Sequence, residues 1–151
     1  MNLGIGAGLA LAVGFFGTAV GLDRDRAFYP TILIVVASYY GLFAVMAGTG
    51  PTLAAEIAVF GAFLVAAVTG FRSSLWVVVM ALAAHGLFDL GHELVIANPG
   101  VPGWWRMFCL GYDLSAAAYL AWRLTRPRGP LAALPAPGEY AGRPSGYYRL
   151  L

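Results

Sequence analysis

Both of the chain's histidines sit in a stretch where hydrocarbon should surround them. Leu75 to Ile96, LWVVVMALAAHGLFDLGHELVI, is long and apolar enough to span a bilayer, yet carries His85, Asp89, His92 and Glu93 along its second half. A charged side chain at mid-membrane costs about 3 kcal/mol or more, so such residues face a protein interior, a water-filled cavity or an ion. At 100° per residue, His85, Asp89 and His92 fall within about 60° of arc, with Glu93 off to one side. The two histidines are about 10.5 Å apart along the axis, a stretch for one shared ion. Asp89 stands one turn from either, at i+4 and i+3.

Imidazole and carboxylate together admit three chemistries. Zinc, iron and manganese all accept mixed His/carboxylate ligation. A metal-free pocket of the same residues can move protons. The third is a structural network of interhelical hydrogen bonds, each contributing about 0.6 to 2 kcal/mol. Asp89-x-x-His92 is also half of the ligand inventory of helical di-iron carboxylate proteins, but no second copy exists in the chain. Glu56 and Asp113 are the other acids inside apolar runs, which makes His85, Asp89, His92, Glu56 and Asp113 the candidate metal ligands. His85, Asp89 and Asp113 are the candidate catalytic groups, and Tyr39, Tyr40, Glu93 and Tyr112 the candidate substrate pocket. Glu93 has a second reading as a surface partner of Arg106. Four acids (Glu56, Asp89, Glu93, Asp113) against two histidines and Arg106 leave a deficit of positive charge, which a cation, protonated carboxyls or water must correct.

The elements that must position these residues are helices. With 60% apolar and only 11% charged residues, the chain departs from the roughly 25% charge of soluble domains, and its class is an all-α polytopic transmembrane bundle. Five spans are expected, at about 3–22, 28–46, 52–68, 75–96 and 105–124, with a first helix lying peripherally as the alternative. Breaks come at Asp23 to Arg26, at Gly48-Thr49-Gly50-Pro51, at Gly70 to Ser74 and at Asn98 to Gly103, where two prolines and two glycines end the organising helix. Asp23 to Arg26 reads as a solvated turn. No positive residue precedes the first span, which argues for a retained helix rather than a signal peptide. Residues 125–151 form a Pro/Gly/Arg-rich tail unable to bury a core.

The positive-inside rule sets orientation. Arg24, Arg26, Arg72 and the arginine-rich tail fall on one side of a five-span chain, so the tail is expected in the cytoplasm and the N terminus outside, in a bacterial inner membrane. Depth then places His85, Asp89, Tyr112 and Asp113 near one level, with His92, Glu93 and Glu56 toward the outer edge. One polar layer shared by several helices, centred on Asp89, is the expectation. The first span spaces Gly6, Ala10, Gly14 and Thr18 four apart, a face suited to close helix packing. That face and the tail point to a protein partner or a second copy, besides membrane lipid. No basic face interleaved with aromatics exists, which excludes nucleic acid as an expected partner. Cys109 stands alone and forms no intrachain disulfide.

The segment His85 to Trp122, reading H-G-L-F-D-L-G-H-E, then N-P, F-C-L-G-Y-D and A-x-x-Y-L-A-W, resembles a small bacterial family of uncharacterised polytopic membrane proteins. The resemblance singles out His85, Asp89, His92, Asn98, Pro99 and Asp113, and implies no activity. The functional expectation is a membrane-embedded enzyme, with a bound metal or proton transfer by the same residues, acting on a lipid or other apolar substrate. An accessory subunit of a larger complex and a proton or metal-ion pathway are the alternatives.

Overall fold

The computed structural model describes residues 1–47 and 50–126. Where no water competes, a backbone must satisfy its own N–H and C=O groups, and the described residues do so with five α-helices: α1 Asn2–Val20, α2 Phe28–Ala47, α3 Gly50–Arg72, α4 Leu75–Val95 and α5 Trp105–Thr125. There is no strand among the described residues. Gly21, in the left-handed region at φ 83°, closes α1, and Ser74 caps α4 by accepting from the Trp76 N–H. The third helix runs to Arg72, past the expected end at 68. The Arg26 guanidinium donates to the Gly70 and Ser73 carbonyls at that terminus, satisfying oxygens the helix leaves open.

In space α5 lies between α1 and α4, while α4 also meets α3 and α2. Leu33, Val78, Leu82 and Leu120 form the apolar core, each at most 2% exposed. The perimeter is apolar as well, with Phe15 70%, Val65 66% and Met80 67% exposed, whereas the five polar groups Glu56, His85, Asp89, His92 and Asp113 are all within 2% of full burial. Water would drive the opposite distribution, and this inside-out arrangement is that of a membrane protein. Four helices, α1 to α4, are long and apolar enough to cross a bilayer. The fifth is as long as α4 but carries Arg106, Asp113 and Arg123; α1 and α4 wall it off on two sides.

Two sequence expectations change here. The small-residue face of α1 is filled from within the chain: Gly6, Ala10 and Gly14 are buried, and a Cβ at Gly6 would stand 2.0 Å from the Phe108 carbonyl oxygen of α5. That face is therefore a contact within the chain, while Gly4 and Gly8 stay open elsewhere on α1. The turn after α1 is also not fully solvated. The Asp23 side chain is 2% exposed and its Oδ2 accepts from Thr18 Oγ1 at 2.6 Å and from Arg123 Nε at 2.8 Å. Thr18 in turn bonds the Tyr119 hydroxyl, so Asp23 latches the end of α1 onto α5. Of the tail expected as a second contact, Thr125 ends α5, and the residues beyond Arg126 lie outside the described residues.

Candidate metal centre

The centre forms where α4 and α5 pack closely around Gly86. Gly86, next to His85, makes this possible, since a Cβ there would already be 3.1 Å from Cβ of Asp113. His85 Nδ1 lies 2.7 Å from Asp113 Oδ2 and 3.8 Å from Asp89 Oδ2. From α2 the Tyr40 hydroxyl donates to Asp89 Oδ1 at 2.7 Å, which fixes the carboxylate's rotation and turns its other oxygen toward the histidine. The edge of Phe63, on α3, packs on the imidazole at 4.7 Å between ring centroids.

His85, Asp89 and Asp113 can each offer one ligand atom with all three atoms within 4.8 Å of one another, a spacing that suits a single metal ion. Asp89 Oδ2 and Asp113 Oδ1 are buried and have no hydrogen-bond partner. Orphaned carboxylate oxygens inside a bundle are costly, and a cation between them removes that cost. The donor set of one imidazole and two carboxylates fits zinc, iron or manganese.

A second polar pair adjoins the first. His92 Nε2 is 2.9 Å from Glu56 Oε1, and the Asn98 amide donates to the same oxygen at 2.8 Å and to the Tyr40 carbonyl at 3.1 Å. His92 Nδ1, on the other side of the ring, is buried and has no hydrogen-bond partner. The Tyr40 ring stacks on His92 with centroids 4.0 Å apart while its hydroxyl holds Asp89, so one tyrosine joins the two pairs.

The expected single layer thus resolves into two subsites. Asp113 joins His85 and Asp89, whereas Glu56 and His92 turn to each other and stand outside the three-residue group. His85, rather than Asp89, has both carboxylates as neighbours. Tyr40 is a ligand-holding residue more than a pocket wall. Tyr39 and Tyr112 do line a cavity, between α2 and α5. Glu93 does not reach the site; it is 54% exposed and pairs with Arg106 at 3.0 Å. An exposed pair of this kind contributes about 0–1 kcal/mol, so Glu93→Gln is expected to leave thermal stability and metal content unchanged within error. Loss of bound metal in that variant would return Glu93 to the site. Asn98 is the member that spacing arguments missed, because a residue after the helix end reads as a terminator; only the N-P motif drew attention to it.

No protein-family model matches the chain, and neither curated proteins nor solved structures contain a significant match. What the fold and the site define is a class: a helical membrane protein with a buried His/Asp/Asp group able to hold a metal ion.

Proposed function

We propose that this is a membrane-embedded, metal-dependent enzyme whose His85, Asp89 and Asp113 hold one divalent cation and whose substrate is a lipid or other apolar molecule. The observation that carries the reading is the pair of orphaned oxygens, Asp89 Oδ2 and Asp113 Oδ1, buried beside His85. Bound there, a zinc, iron or manganese ion would supply Lewis-acid polarisation of a substrate oxygen. The chain's own residues do the rest. Tyr40 holds Asp89 in one rotamer, and Asp113 orients the His85 ring. Glu56, itself held by the Asn98 amide, orients the His92 ring, and the unpartnered Nδ1 would be the atom that exchanges a proton with a substrate hydroxyl or water. Apolar walls keep bulk water out, which strengthens each of these interactions.

In the same reading all five helices cross the membrane. Arg26 touches the end of α3 and Arg123 the turn after α1, so Arg24, Arg26, Arg72 and Arg123 gather at one end of the bundle. That end is the cytoplasmic one by the positive-inside rule, with the N terminus outside. An accessory subunit is the second reading: the Gly6/Ala10/Gly14 face of α1 is used within the chain, while Gly4 and Gly8 stay open to a neighbouring helix.

Metal analysis of the purified full chain after exposure to zinc, manganese and ferrous iron is the direct test. About one ion per chain is expected, together with a rise in thermal midpoint on loading. Protein that retains none of the three, and whose midpoint none of them moves, has a structural network and not a metal centre.

A further inference from the structure

An ion reaches the metal centre only if something moves, since His85, Asp89 and Asp113 are at most 1% exposed. The two ends of the bundle differ in what stands in the way. At 1.5 Å per residue, Asp89 lies about 9 Å from the end of α4 at Val95 and about 21 Å from its start at Leu75. Asp113 is about 12 Å from the start of α5 at Trp105 and about 18 Å from its end at Thr125. Toward the far end each helix around the centre turns aliphatic. Leu33 on α2, Ala67 on α3, Val78 and Leu82 on α4 and Leu120 on α5 belong to one packed cluster, each at most 2% exposed. None of these can replace a water on a cation, and parting them opens the core of four helices at once.

The near end is crossed by one non-helical segment, residues 96–104, held down by polar bonds. Asn98, 7% exposed, pins it: the amide donates to the Tyr40 carbonyl of α2 at 3.1 Å and to Glu56 Oε1 of α3 at 2.8 Å, and its oxygen accepts from the Gly100 N–H. Gly100 sits so close to α2 that a Cβ there would be 2.1 Å from the Phe43 carbonyl oxygen. At the rim, Thr52 Oγ1 donates to the Ala97 carbonyl at 3.2 Å. Bonds of this kind exchange for bonds to water, which aliphatic packing cannot do. Next inward come Glu56 and His92, both at most 2% exposed, and His92 stands one turn from Asp89. His92 Nδ1 is buried without a partner. Once Asn98 lets go, this carboxylate and imidazole are a ligand pair for a divalent ion.

From this we infer that a divalent cation reaches His85, Asp89 and Asp113 from the α4–α5 end of the bundle alone, through a transient entry site made of Glu56 and His92, with residues 96–104 as its gate. The inference rests on the metal-centre reading above. Asn98 hydrogen-bonds to none of the three ligands, so it sets how fast the ion exchanges and not how tightly it is held.

The test is the rate at which the full chain takes up zinc and releases it to excess EDTA, with manganese in its place if the chain retains only that. Asn98→Ala is expected to raise both rates together, each at least about tenfold, with Kd unchanged within about threefold. Thr52→Val keeps the side chain's shape and raises both by about threefold. Ser73→Ala removes a comparable exposed hydroxyl-to-carbonyl bond at the opposite end, between α3 and α4, and changes neither. Glu56→Gln keeps an oxygen for Asn98 and His92 but loses the charge that draws the ion in, so both rates fall, by about fivefold. The N terminus lies at the gate end, since Gly6 packs at Phe108 and Gly14 at Tyr119. In proteoliposomes, external EDTA therefore strips only chains whose N terminus faces outward, as scored by cleavage of an N-terminal tag. The inference is overturned if Ser73→Ala speeds exchange as much as the gate variants, if Glu56→Gln does not slow it, or if EDTA strips both orientations alike. Should Asn98→Ala not fold, Thr52→Val against Ser73→Ala decides. A chain that holds no ion loses the centre and this route together, whereas one ion per chain with rates unmoved by Asn98→Ala and Thr52→Val loses the gate alone.

Discussion

Asp89→Asn is expected to abolish metal retention, lowering affinity by more than about 100-fold, while the helical fold survives. The substitution keeps shape and keeps an oxygen for the Tyr40 hydroxyl, so what it removes is charge on the oxygen that has no partner. The sign of its stability effect separates the readings. With a metal centre, the unloaded wild type buries a carboxylate whose Oδ2 has no hydrogen-bond donor, and replacing it with an amide is neutral or stabilising. Loading reverses the order, because wild type gains about 2.7 kcal/mol at a metal concentration 100 times Kd and the variant gains nothing. A structural hydrogen-bond network predicts neither the crossover nor any metal dependence, only a fixed cost of removing one acceptor, about 1 kcal/mol. Thermal unfolding of both proteins, with chelator and with metal, decides between them; curves that keep the same order in both conditions would sink the metal centre.

The parts of this site that a sequence can show are those set by periodicity. His85, Asp89 and His92 share a stripe because the helix repeat requires it, and Asp113 meets His85 because two antiparallel spans entered from known ends can be compared in depth. Side-chain choice between neighbours is a different matter. His92 stands as close along the helix to Asp89 as one turn allows, yet it turns to Glu56, a pairing fixed by the rotation of α3 about its own axis, on which hydropathy is silent. Asp23 was hidden for a related reason. Alternating charges between two apolar runs have the composition of a solvated turn, and only the fold reveals that Arg123, 100 residues later, arrives beside it. The small-residue face of α1 was legible as a contact, but not its partner: a stripe of glycines says that a backbone comes close without saying whose.

That contact carries the other large expected effect. Gly6→Ala and Gly111→Ala are each expected to destabilise the bundle by about 2–3 kcal/mol, which shifts the thermal midpoint by several degrees. Two terms oppose each other. Replacing a helical glycine with alanine contributes up to about 1 kcal/mol in favour of the variant through helix propensity. Against this, the new Cβ would lie 2.0 Å from the Phe108 carbonyl oxygen at Gly6 and 2.1 Å from that of Leu3 at Gly111, both rigid helical backbone. No rotamer change relieves such a clash, so α1 must move off α5 by about 1 Å, loosening a packed face, and overpacking outweighs propensity. Gly4 and Gly8 supply the internal control, for a Cβ at either meets nothing within 4 Å, and alanine there is expected to be neutral or slightly stabilising. Because Gly6 and Gly111 act on one interface, the double variant should lose less than the sum of the two, since a helix displaced once has already lost the contact. Equal midpoints for Gly6→Ala and Gly4→Ala would mean that α1 does not lie against α5, and with that contact would go one of the two walls that shield α5.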